Sequence, residues 1–247
     1  MYFRCAKFLQ TSLANSCLSR LMITSTQQKY LTESCILVDR NDNVIGQSPK
    51  GECHKWQNII KGGYLHRAFS VFLFDSDRRL LLQRRAAEKI TFPGVWTNTC
   101  CSHPLHNELE LDASLPGLGV RRAAHRKLIH ELGFKSSQIP IDQMNYIARI
   151  LYRAPSNDDW GEHELDYVIF VRSDARPEPN PSEVSQIRYV TAEQLKNLIA
   201  ESKSAESELT FSPWFLLMAD NFLFDWWKSL DRLDAIKNCD AIHDFTQ

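Results

Sequence analysis

The chain has 247 residues, 43% of them hydrophobic, and a formal net charge of −1. This length can bury a full core within one domain, and the near-zero charge gives no positive field that would favour nucleic acid. The longest apolar stretch, residues 215–227, is interrupted by three polar residues and is shorter than the roughly 18 residues of a membrane span. We therefore expect no transmembrane segment.

The first 32 residues differ in composition from the rest of the chain. They contain four basic residues and no acidic residue, and Glu33 is the first carboxylate. This composition is typical of an organellar transit peptide, and a disordered extension that is not cleaved is the alternative. We predict an extension over residues 1–30 and a single domain over residues 31–247. The predicted location is the cytoplasm or the mitochondrion, with the peroxisome also open.

From Cys35 onward the pattern is that of a globular domain. Enrichment in β-branched, aliphatic and aromatic residues predicts strands at residues 35–39, 68–74, 80–83, 147–152 and 165–171. The second and third of these read as a hairpin around the turn residues 75–77, and a polar loop at residues 154–161 separates the last two. Helical spacing predicts a helix from Gly119 to Leu132, which Gly133 ends.

The C-terminal third of the chain carries two helix-start signals. Thr191 with Gln194 three residues later is a capping-box pattern. Ser212 followed by Pro213 is an N-cap with proline at the first helical position, opening an aromatic-rich helix. The proline-rich residues 176–181 are too few for an interdomain linker. The sequence therefore predicts one α+β domain with a helical C-terminus.

A cysteine and a histidine lie close together in residues 97–104 (TNTCCSHP). The seven cysteines are an odd number without a Cys-x-x-Cys pair, which favours a reducing compartment over a disulfide framework. Cys101 could be a structural apolar thiol, a nucleophile or a proton donor. Adjacent Cys100 and Cys101 cannot both face the core on an extended strand, because side chains alternate there.

A second cluster, residues 160–164 (WGEHE), supplies two carboxylates. If this segment is a strand, Glu162 and Glu164 point to the same face. With His54, His66 and His103 they form a mixed nitrogen and oxygen set that suits a hard or borderline divalent cation. A single histidine is more often a surface or core residue than a ligand, so this interpretation depends on their convergence.

Basic residues and one tryptophan complete the candidates. Each of the basic residues Lys50, Arg85, Lys89 and Lys127, read singly, is a solvated surface charge. Arg85 and Lys89 lie near the turn at residues 92–94 and could hold a phosphate together. Trp214 could be a core residue, or its ring face could stabilise a positive charge in a dry pocket.

Together these motifs resemble the type I, metal-dependent isopentenyl-diphosphate isomerases, a family with the Nudix fold. The resemblance runs from about residue 31 to the C-terminal helix. Its landmarks are residues 66–70 (HRAFS), 89–94 (KITFPG), 97–104 (TNTCCSHP), 119–124 (GVRRAA), 160–164 (WGEHE) and 212–215 (SPWF). It implies a Nudix-type mixed β-sheet sandwiched by helices, with a helical C-terminal extension. We expect a monomer acting on a small diphosphate.

The resemblance implies a role for each candidate. Cys101 and Glu164 would be the acid/base pair, Tyr152 would hydrogen-bond near Glu164, and Trp214 would cover a carbon that becomes cationic. The implied diphosphate-binding residues are Lys50, Arg85, Lys89, Ser102 and, less directly, Lys127. The implied metal ligands are His54, His66, His103, Glu162 and Glu164, holding Mg²⁺, Mn²⁺ or Zn²⁺. Glu131 would help to bind a second Mg²⁺ that bridges to the diphosphate.

The chain departs from the hydrolases of the same fold in one helix. Where the Nudix box expects glutamates, this chain has Lys127 and His130, and only Glu131 and Gly133 keep the pattern. Cleaving a diphosphate needs several carboxylates to hold metals and activate water. The implied reaction is therefore a reversible allylic proton shift through a tertiary carbocation, with the diphosphate kept intact. A Nudix diphosphohydrolase and a non-catalytic binding module are the alternatives, and a cysteine hydrolase is disfavoured.

Overall fold

A mixed sheet of ten strands forms the centre of the computed structural model, which describes residues 25–246. The strands are β1 Ser34–Val38, β2 Val44–Pro49, β3 His66–Phe74, β4 Leu80–Arg85, β5 Trp96–Thr97, β6 Cys100–Ser102, β7 Asn145–Pro155, β8 Gly161–Arg172, β9 Val184–Val190 and β10 Ile242–Asp244. The main path runs β10-β7-β8-β3-β1-β2. Strand β6 pairs with β3, and β4 pairs with β3, β5 and β9.

Helices cover the sheet. They are α1 Ser25–Tyr30, α2 Lys50–His54, α3 Trp56–Ile60, α4 Glu108–Leu111, α5 Leu118–Leu132, α6 Ala192–Ser202, α7 Pro213–Met218 and α8 Phe224–Lys228. A π-helical turn, Ala219–Leu223, joins α7 to α8, so the predicted aromatic helix is interrupted. Short 3₁₀ turns occur at Ser136–Gln138, Ile141–Gln143 and Leu233–Ala235.

Two apolar layers hold the helices on opposite faces of the sheet. Helix α5 packs on one face through Val120, Leu128 and Leu132, against strand residues that include Val71. The C-terminal helices pack on the other face, where Phe215 contributes to the core. Successive residues at the C-terminal ends of β3 and β8 therefore enter different cores, as period-two geometry requires. The predicted α+β class, with a mixed sheet between helices, is confirmed.

The parallel pairing of β3 with β8 is the part of the topology that matters most for function. It sets His66 directly opposite Glu164. Strands β7 and β8 form a long antiparallel pair in which Tyr152 is also opposite Glu164. Almost every residue of β3 and β8 is buried, so polar side chains on these strands lie inside the protein.

Most predicted elements are present, with differences at their ends. The helix over residues 118–132 ends at Gly133, whose φ of 67° is left-handed, as predicted. Strand β8 begins at Gly161 rather than Leu165, which places Glu162 inside it. The predicted hairpin exists only at its closed end, because β3 and β4 pair only at Phe74 and Leu80, whereas β4 pairs with β9 along its whole length.

The predicted caps at the C-terminal helices are also present. The capping box of Thr191 and Gln194 forms in full. Ser212 is the N-cap of α7 with Pro213 at the first position, but its side chain makes no cap hydrogen bond. The Ser212 hydroxyl instead lies 2.7 Å from the Thr97 hydroxyl. This contact ties α7 to the sheet.

The described chain begins within the predicted extension. Residues 1–24 lie outside the described residues, and the domain boundary at residue 30 stays a prediction. Helix α1 leads into a segment whose carbonyls accept backbone hydrogen bonds, from Gly51 N–H to Leu31 at 2.9 Å and from Lys50 N–H to Glu33 at 2.7 Å. Over residues 25–246, no helix combines the length and apolar character needed to cross a bilayer.

Candidate active site

Five side chains of the type that binds metals converge at one end of β3 and β8. They are His54, His66, His103, Glu162 and Glu164, and their candidate ligand atoms all lie within 4.8 Å of one another. All five are buried. Among residues 25–246, these five are the residues whose side chains lie close enough together to hold a metal ion. The predicted ligand set therefore converges in space.

Three strands and one helix end position these residues. Glu162 and Glu164 share one face of β8, as the spacing predicted if this segment is a strand. His66 begins β3 beside Glu164. His54 is the last residue of α2, and His103 follows β6 directly. Residues from four separate segments therefore meet at one point.

Backbone carbonyls fix the tautomers of two of the histidines. His54 Nδ1 lies 2.7 Å from the Lys50 carbonyl oxygen, and His66 Nδ1 lies 2.9 Å from that of Tyr64. A carbonyl only accepts, so each Nδ1 carries the proton and donates. Each Nε2 then presents a lone pair to the cluster. A histidine that ligates a metal through one ring nitrogen usually donates a hydrogen bond from the other, as these two do.

The lone pairs face carboxylate oxygens. His54 Nε2 lies 2.8 Å from Glu162 Oε2, and His66 Nε2 lies 3.7 Å from Glu164 Oε1. Among the described residues, none of the atoms His54 Nε2, His66 Nε2 and Glu162 Oε2 has a hydrogen-bond partner. Buried polar atoms without partners are costly. A divalent cation would satisfy these atoms at once, so the residues present fit a metal ion.

The electrostatics of the cluster agree with this interpretation. Burial and the neighbouring His54 lower the pKa of His66 to about 3, so its imidazole is neutral and able to ligate. Burial and the nearby Glu162 raise the pKa of Glu164 well above its usual value. Two carboxylates this close cannot both ionise easily without a cation.

Cys101 faces the cavity and Cys100 faces away from it. Cys100 is fully buried in the core that contains α5, and its Sγ lies 3.7 Å from Glu131 Oε2. Cys101, the next residue of β6, lines the cavity beside the metal cluster. This alternation shows which cysteine of the doublet faces the cavity. Burial raises the pKa of the Cys101 thiol to about 12, so it is protonated at neutral pH.

Tyr152 and Glu164 form a direct contact on neighbouring strands. The Tyr152 hydroxyl donates to Glu164 Oε2 at 2.5 Å, while His103 Nε2 lies 2.7 Å from Glu164 Oε1. Burial and the charge of Glu164 raise the pKa of Tyr152 well above its usual value. Both oxygens of Glu164 are therefore held in place at the cavity wall.

Trp214, near the start of α7, forms an aromatic wall of the same cavity. The Phe92 ring meets it edge-on at a centroid distance of 5.2 Å, and the Tyr152 ring lies 6.1 Å away. The Arg85 guanidinium lies 5.8 Å from the indole centroid. Trp214 is 3% exposed, so its ring face is in a dry environment.

Four of the five predicted diphosphate-binding residues line the cavity. These are Lys50, Arg85, Lys89 and Ser102. Arg85 is held in place by hydrogen bonds from Nε and Nη2 to the carbonyls of Thr91 and Phe92, and its Nη1 lies 3.7 Å from Cys101 Sγ. The guanidinium therefore sits between the loop and the thiol.

Lys127, the fifth, is not among the cavity-lining residues. It is buried behind the cavity, with its Nζ 3.0 Å from Glu131 Oε1. Lys89 Nζ lies 3.6 Å from the same oxygen and also pairs with Glu183. Burial raises the pKa of Glu131, but Lys89 and Lys127 outweigh it, so the pKa lies well below its usual value. Glu131 is thus an ionised carboxylate beside the cations.

Several residues at the site were not found from the sequence. Gln27, Tyr30 and Leu31 line the cavity, although two of them lie in the predicted extension. Glu183 is fully buried and pairs with Lys89. Asp166 continues the alternation of Glu162 and Glu164 along β8, a signal that the sequence did offer, and accepts a hydrogen bond from Ser70 Oγ at 2.7 Å.

Comparisons with known proteins agree with this geometry. The NUDIX domain model matches residues 64–215. Isopentenyl-diphosphate Delta-isomerase I of Camptotheca acuminata is 54% identical over 84% of this chain and 88% of its own length. Two relatives whose names include the word chloroplastic, isomerase 1 of Cannabis sativa and isomerase II of Arabidopsis thaliana, are each 50% identical over 87% of this chain, covering 75% and 76% of their lengths.

A solved structure shows the same fold at low sequence identity. The crystal structure of a Deinococcus radiodurans protein superposes with a TM-score of 0.52 at 20% identity, over 77% of this chain and all of that one. The structural match shows the fold alone. The 54% sequence identity to the Camptotheca acuminata isomerase, over 84% of this chain, also shows the family. With its Nudix domain and these relatives, the chain belongs to the isopentenyl-diphosphate Delta-isomerase family.

Proposed function

We propose that this chain interconverts isopentenyl diphosphate and dimethylallyl diphosphate by a metal-dependent 1,3-allylic proton shift. An acid adds a proton to the terminal methylene carbon, leaving a tertiary carbocation at C3. A base then removes a proton from C2, the double bond forms between C2 and C3, and the diphosphate is unchanged. The names of the relatives support the substrate, and the site geometry supports the chemistry.

The observation that carries this proposal is the placement of Cys101 and Glu164. They lie on β6 and β8, which pair with opposite edges of β3, and both line one cavity with Trp214. An allylic shift needs an acid and a base on either side of a flat alkene. The raised pKa of the Cys101 thiol keeps it protonated and available as an acid. In the reverse reaction the two groups exchange roles.

The five-residue His/Glu cluster would hold one divalent cation, either Mg²⁺, Mn²⁺ or Zn²⁺. When bound, this cation would supply positive charge that keeps Glu162 and Glu164 ionised and fixed at the cavity wall. Glu131, ionised between two lysines, would share a second Mg²⁺ with the diphosphate.

Three basic side chains and one hydroxyl in the cavity would bind the diphosphate. Lys50, Arg85, Lys89 and Ser102 offer donors from four different segments, and charged donors bind phosphate strongly. In α5, Lys127 occupies a position where the Nudix box of the hydrolases has a glutamate. Because lysine cannot hold a hydrolytic metal, these residues favour a diphosphate that stays intact.

The aromatic wall would protect and stabilise the cation. A desolvated cation over a tryptophan face gains about 2 kcal/mol, which is part of the barrier and not all of it. Trp214 and the edge of Phe92 also exclude water that would otherwise quench the carbocation. Tyr152 would hold Glu164 in position through the hydrogen bond from its hydroxyl.

Proton NMR of isopentenyl diphosphate in D₂O, with the full chain and Mg²⁺, tests this function. The expected result is deuterium in dimethylallyl diphosphate with no release of phosphate. Release of phosphate would instead indicate a hydrolase. Unchanged substrate in the presence of folded protein, with Mg²⁺, Mn²⁺ and Zn²⁺ each tried, would leave a binding module.

We also propose that the basic, acid-free N-terminal residues direct import into an organelle. The composition of residues 1–32 supports this, and two plant relatives are named chloroplastic. Sequencing the N-terminus of the mature protein from cells tests it. A mature chain that starts at Met1 and stays in the cytoplasm would contradict import.

The predicted monomer is a separate proposal, and analytical ultracentrifugation of the purified protein would test it.

A further inference from the structure

The Asn98 side chain joins the strand of Cys101 to the helix of Trp214. Asn98 lies between β5 and β6 and is fully buried. Its Nδ2 donates to the carbonyls of Val71 at 3.1 Å and of Cys100 at 2.9 Å. Its Oδ1 accepts from the indole Nε1–H of Trp214 at 3.0 Å. The Cys100 carbonyl belongs to the peptide bond that precedes Cys101, so one amide contacts both halves of the site.

The chemistry of the neighbours allows only one orientation of this amide. Backbone carbonyls accept and cannot donate, so the carbonyls of Val71 and Cys100 need the NH₂ group. The indole N–H donates and cannot accept, so Trp214 needs the oxygen. A flipped amide would set two acceptors against an oxygen and two donors against each other. The Asn98 side chain therefore has a defined orientation, fully used by its partners.

A second contact reinforces the same junction. The Thr97 hydroxyl donates to Asn98 Oδ1 at 2.8 Å and lies 2.7 Å from the hydroxyl of Ser212, the N-cap of α7. Backbone bonds join Trp96 N–H to Thr210 O at 2.8 Å and Ser212 N–H to Trp96 O at 2.9 Å. The residues before Cys101 thus hold the start of α7 from two sides.

We propose that Asn98 is a positioning residue that fixes the indole of Trp214 relative to the Cys101 thiol. The proposal rests on the proposed function, in which Trp214 covers the cationic carbon. Packing against Phe92 and Tyr152 restricts the indole, and the Nε1–H bond to Asn98 fixes the direction of its pyrrole edge. The hydrogen bond from the indole N–H to Asn98 also polarises the ring towards higher electron density, which strengthens the attraction of its face for a cation.

A double-mutant cycle tests whether Asn98 acts through the indole. Asn98→Ala should lower kcat about tenfold, the equivalent of one buried hydrogen bond, with KM little changed. Trp214→Phe keeps a ring but has no N–H, so adding Asn98→Ala to it should cost little more. Residues in contact give such non-additive effects. An equal loss in both backgrounds would overturn the proposal and leave a general structural role.

A second measurement does not depend on turnover, and its deciding observation is made on the unmodified chain. Proton–nitrogen NMR resolves indole N–H signals, and the signal missing from Trp214→Phe belongs to Trp214. We expect this proton to exchange slowly with solvent, and in Asn98→Ala to shift and exchange faster while the other indole signals stay in place. Fast exchange in the unmodified chain would overturn the proposal, even if the isomerase activity is found.

Discussion

The imidazole of His54 and the carboxylate of Glu162 meet with Nε2 and Oε2 2.8 Å apart, and neither atom has a hydrogen-bond partner among the described residues. The proton of His54 is already donated from Nδ1 to the Lys50 carbonyl. Two lone pairs therefore face each other in a buried site. This is an unfavourable arrangement in the absence of a cation, and it explains why the cluster fits a metal ion.

Metal removal should therefore destabilise the protein measurably. A ligand at one hundred times its dissociation constant stabilises the folded state by about 2.7 kcal/mol. We expect a chelator to lower Tm, and Mg²⁺, Mn²⁺ or Zn²⁺ to restore it in proportion to affinity. In Glu162→Gln the same chelator should have a much smaller effect. A Tm that is independent of chelator and metal in the unmodified chain would contradict the site.

The cysteine doublet offers a matched pair of variants. Cys101→Ser should reduce turnover by about 100-fold or more, because a serine hydroxyl is a far weaker acid and acid–base groups contribute on that scale. Binding of the diphosphate, measured by calorimetry, should stay near the unmodified value. Cys100→Ala alters the neighbouring residue, which faces the α5 core, and should keep most of the activity. Equal losses in the two variants would contradict the role of Cys101.

Period-two alternation made much of the site predictable from sequence. It placed Glu162 and Glu164 on one face of β8 and required Cys100 and Cys101 to face opposite ways. These are local consequences of an extended backbone, so they need no knowledge of the fold. The helix that ends at Gly133 was predictable for a similar reason, since a left-handed end residue leaves a local signal.

Long-range pairings were not predictable in the same way. The sequence marks β3 and β4 as neighbours, but β4 pairs along its length with β9, about a hundred residues later. Glu183 reaches the cavity cations through that pairing, and its own segment carries no motif. The basic, acid-free composition of residues 1–32 placed Tyr30 in the predicted extension. Composition gives no information on which residues of a segment contact the domain. Its hydroxyl lies 3.0 Å from His130 Nε2.

Tyr30 should therefore contribute to substrate binding. Its ring lies 5.5 Å from Lys127 Nζ, and it lines the cavity. Tyr30→Ala should raise KM several-fold by opening this wall and leave kcat nearly unchanged. Tyr30→Phe keeps the ring over Lys127 and loses only the hydroxyl, so its KM should stay close to that of the unmodified chain. Steady-state kinetics at saturating Mg²⁺ would check both values.

Unchanged KM in Tyr30→Ala would contradict this role of α1. A fall in kcat without a change in KM would point instead to Lys127, whose ammonium the ring covers.

Glu131 should control part of the stability at acidic pH. Lys89 and Lys127 hold its pKa below the ordinary value of 4.5 against the opposing effect of burial. A lowered pKa stabilises the folded state above pH 4.5, and this contribution is lost as the pH falls towards the folded value. Urea unfolding of Glu131→Gln should show a shallower loss of stability below pH 4.5 than the unmodified chain.

The same variant should be less stable at neutral pH. It leaves Lys127 buried without its partner, which costs about 3 kcal/mol. Lys127→Met with Glu131→Gln removes both charges and should recover much of this loss. If the double variant is no more stable than Glu131→Gln alone, the buried pair is not the cause.

Gly161 opens β8 immediately before Glu162, and no larger residue fits there. A Cβ atom at this position would lie 2.4 Å from Trp56 Cε3 and 2.8 Å from the Ala154 carbonyl oxygen. Gly161→Ala must therefore shift the end of the β7–β8 pair, where Pro155 lies opposite residue 161, or push Trp56 outward. Overpacking of this kind costs about 1 to 3 kcal/mol. Because Glu162 is the next residue, metal affinity should fall together with the stability.

Gly63→Ala is the matched control. Its Cβ would meet one atom, the Asn58 carbonyl oxygen at 3.9 Å, which is an ordinary contact. We expect its Tm and its metal affinity to match those of the unmodified chain, measured by calorimetry with the same cation. Should Gly161→Ala bind metal as tightly as Gly63→Ala does, the start of β8 is not what fixes Glu162. The position of that carboxylate would then depend on its contact with His54 instead.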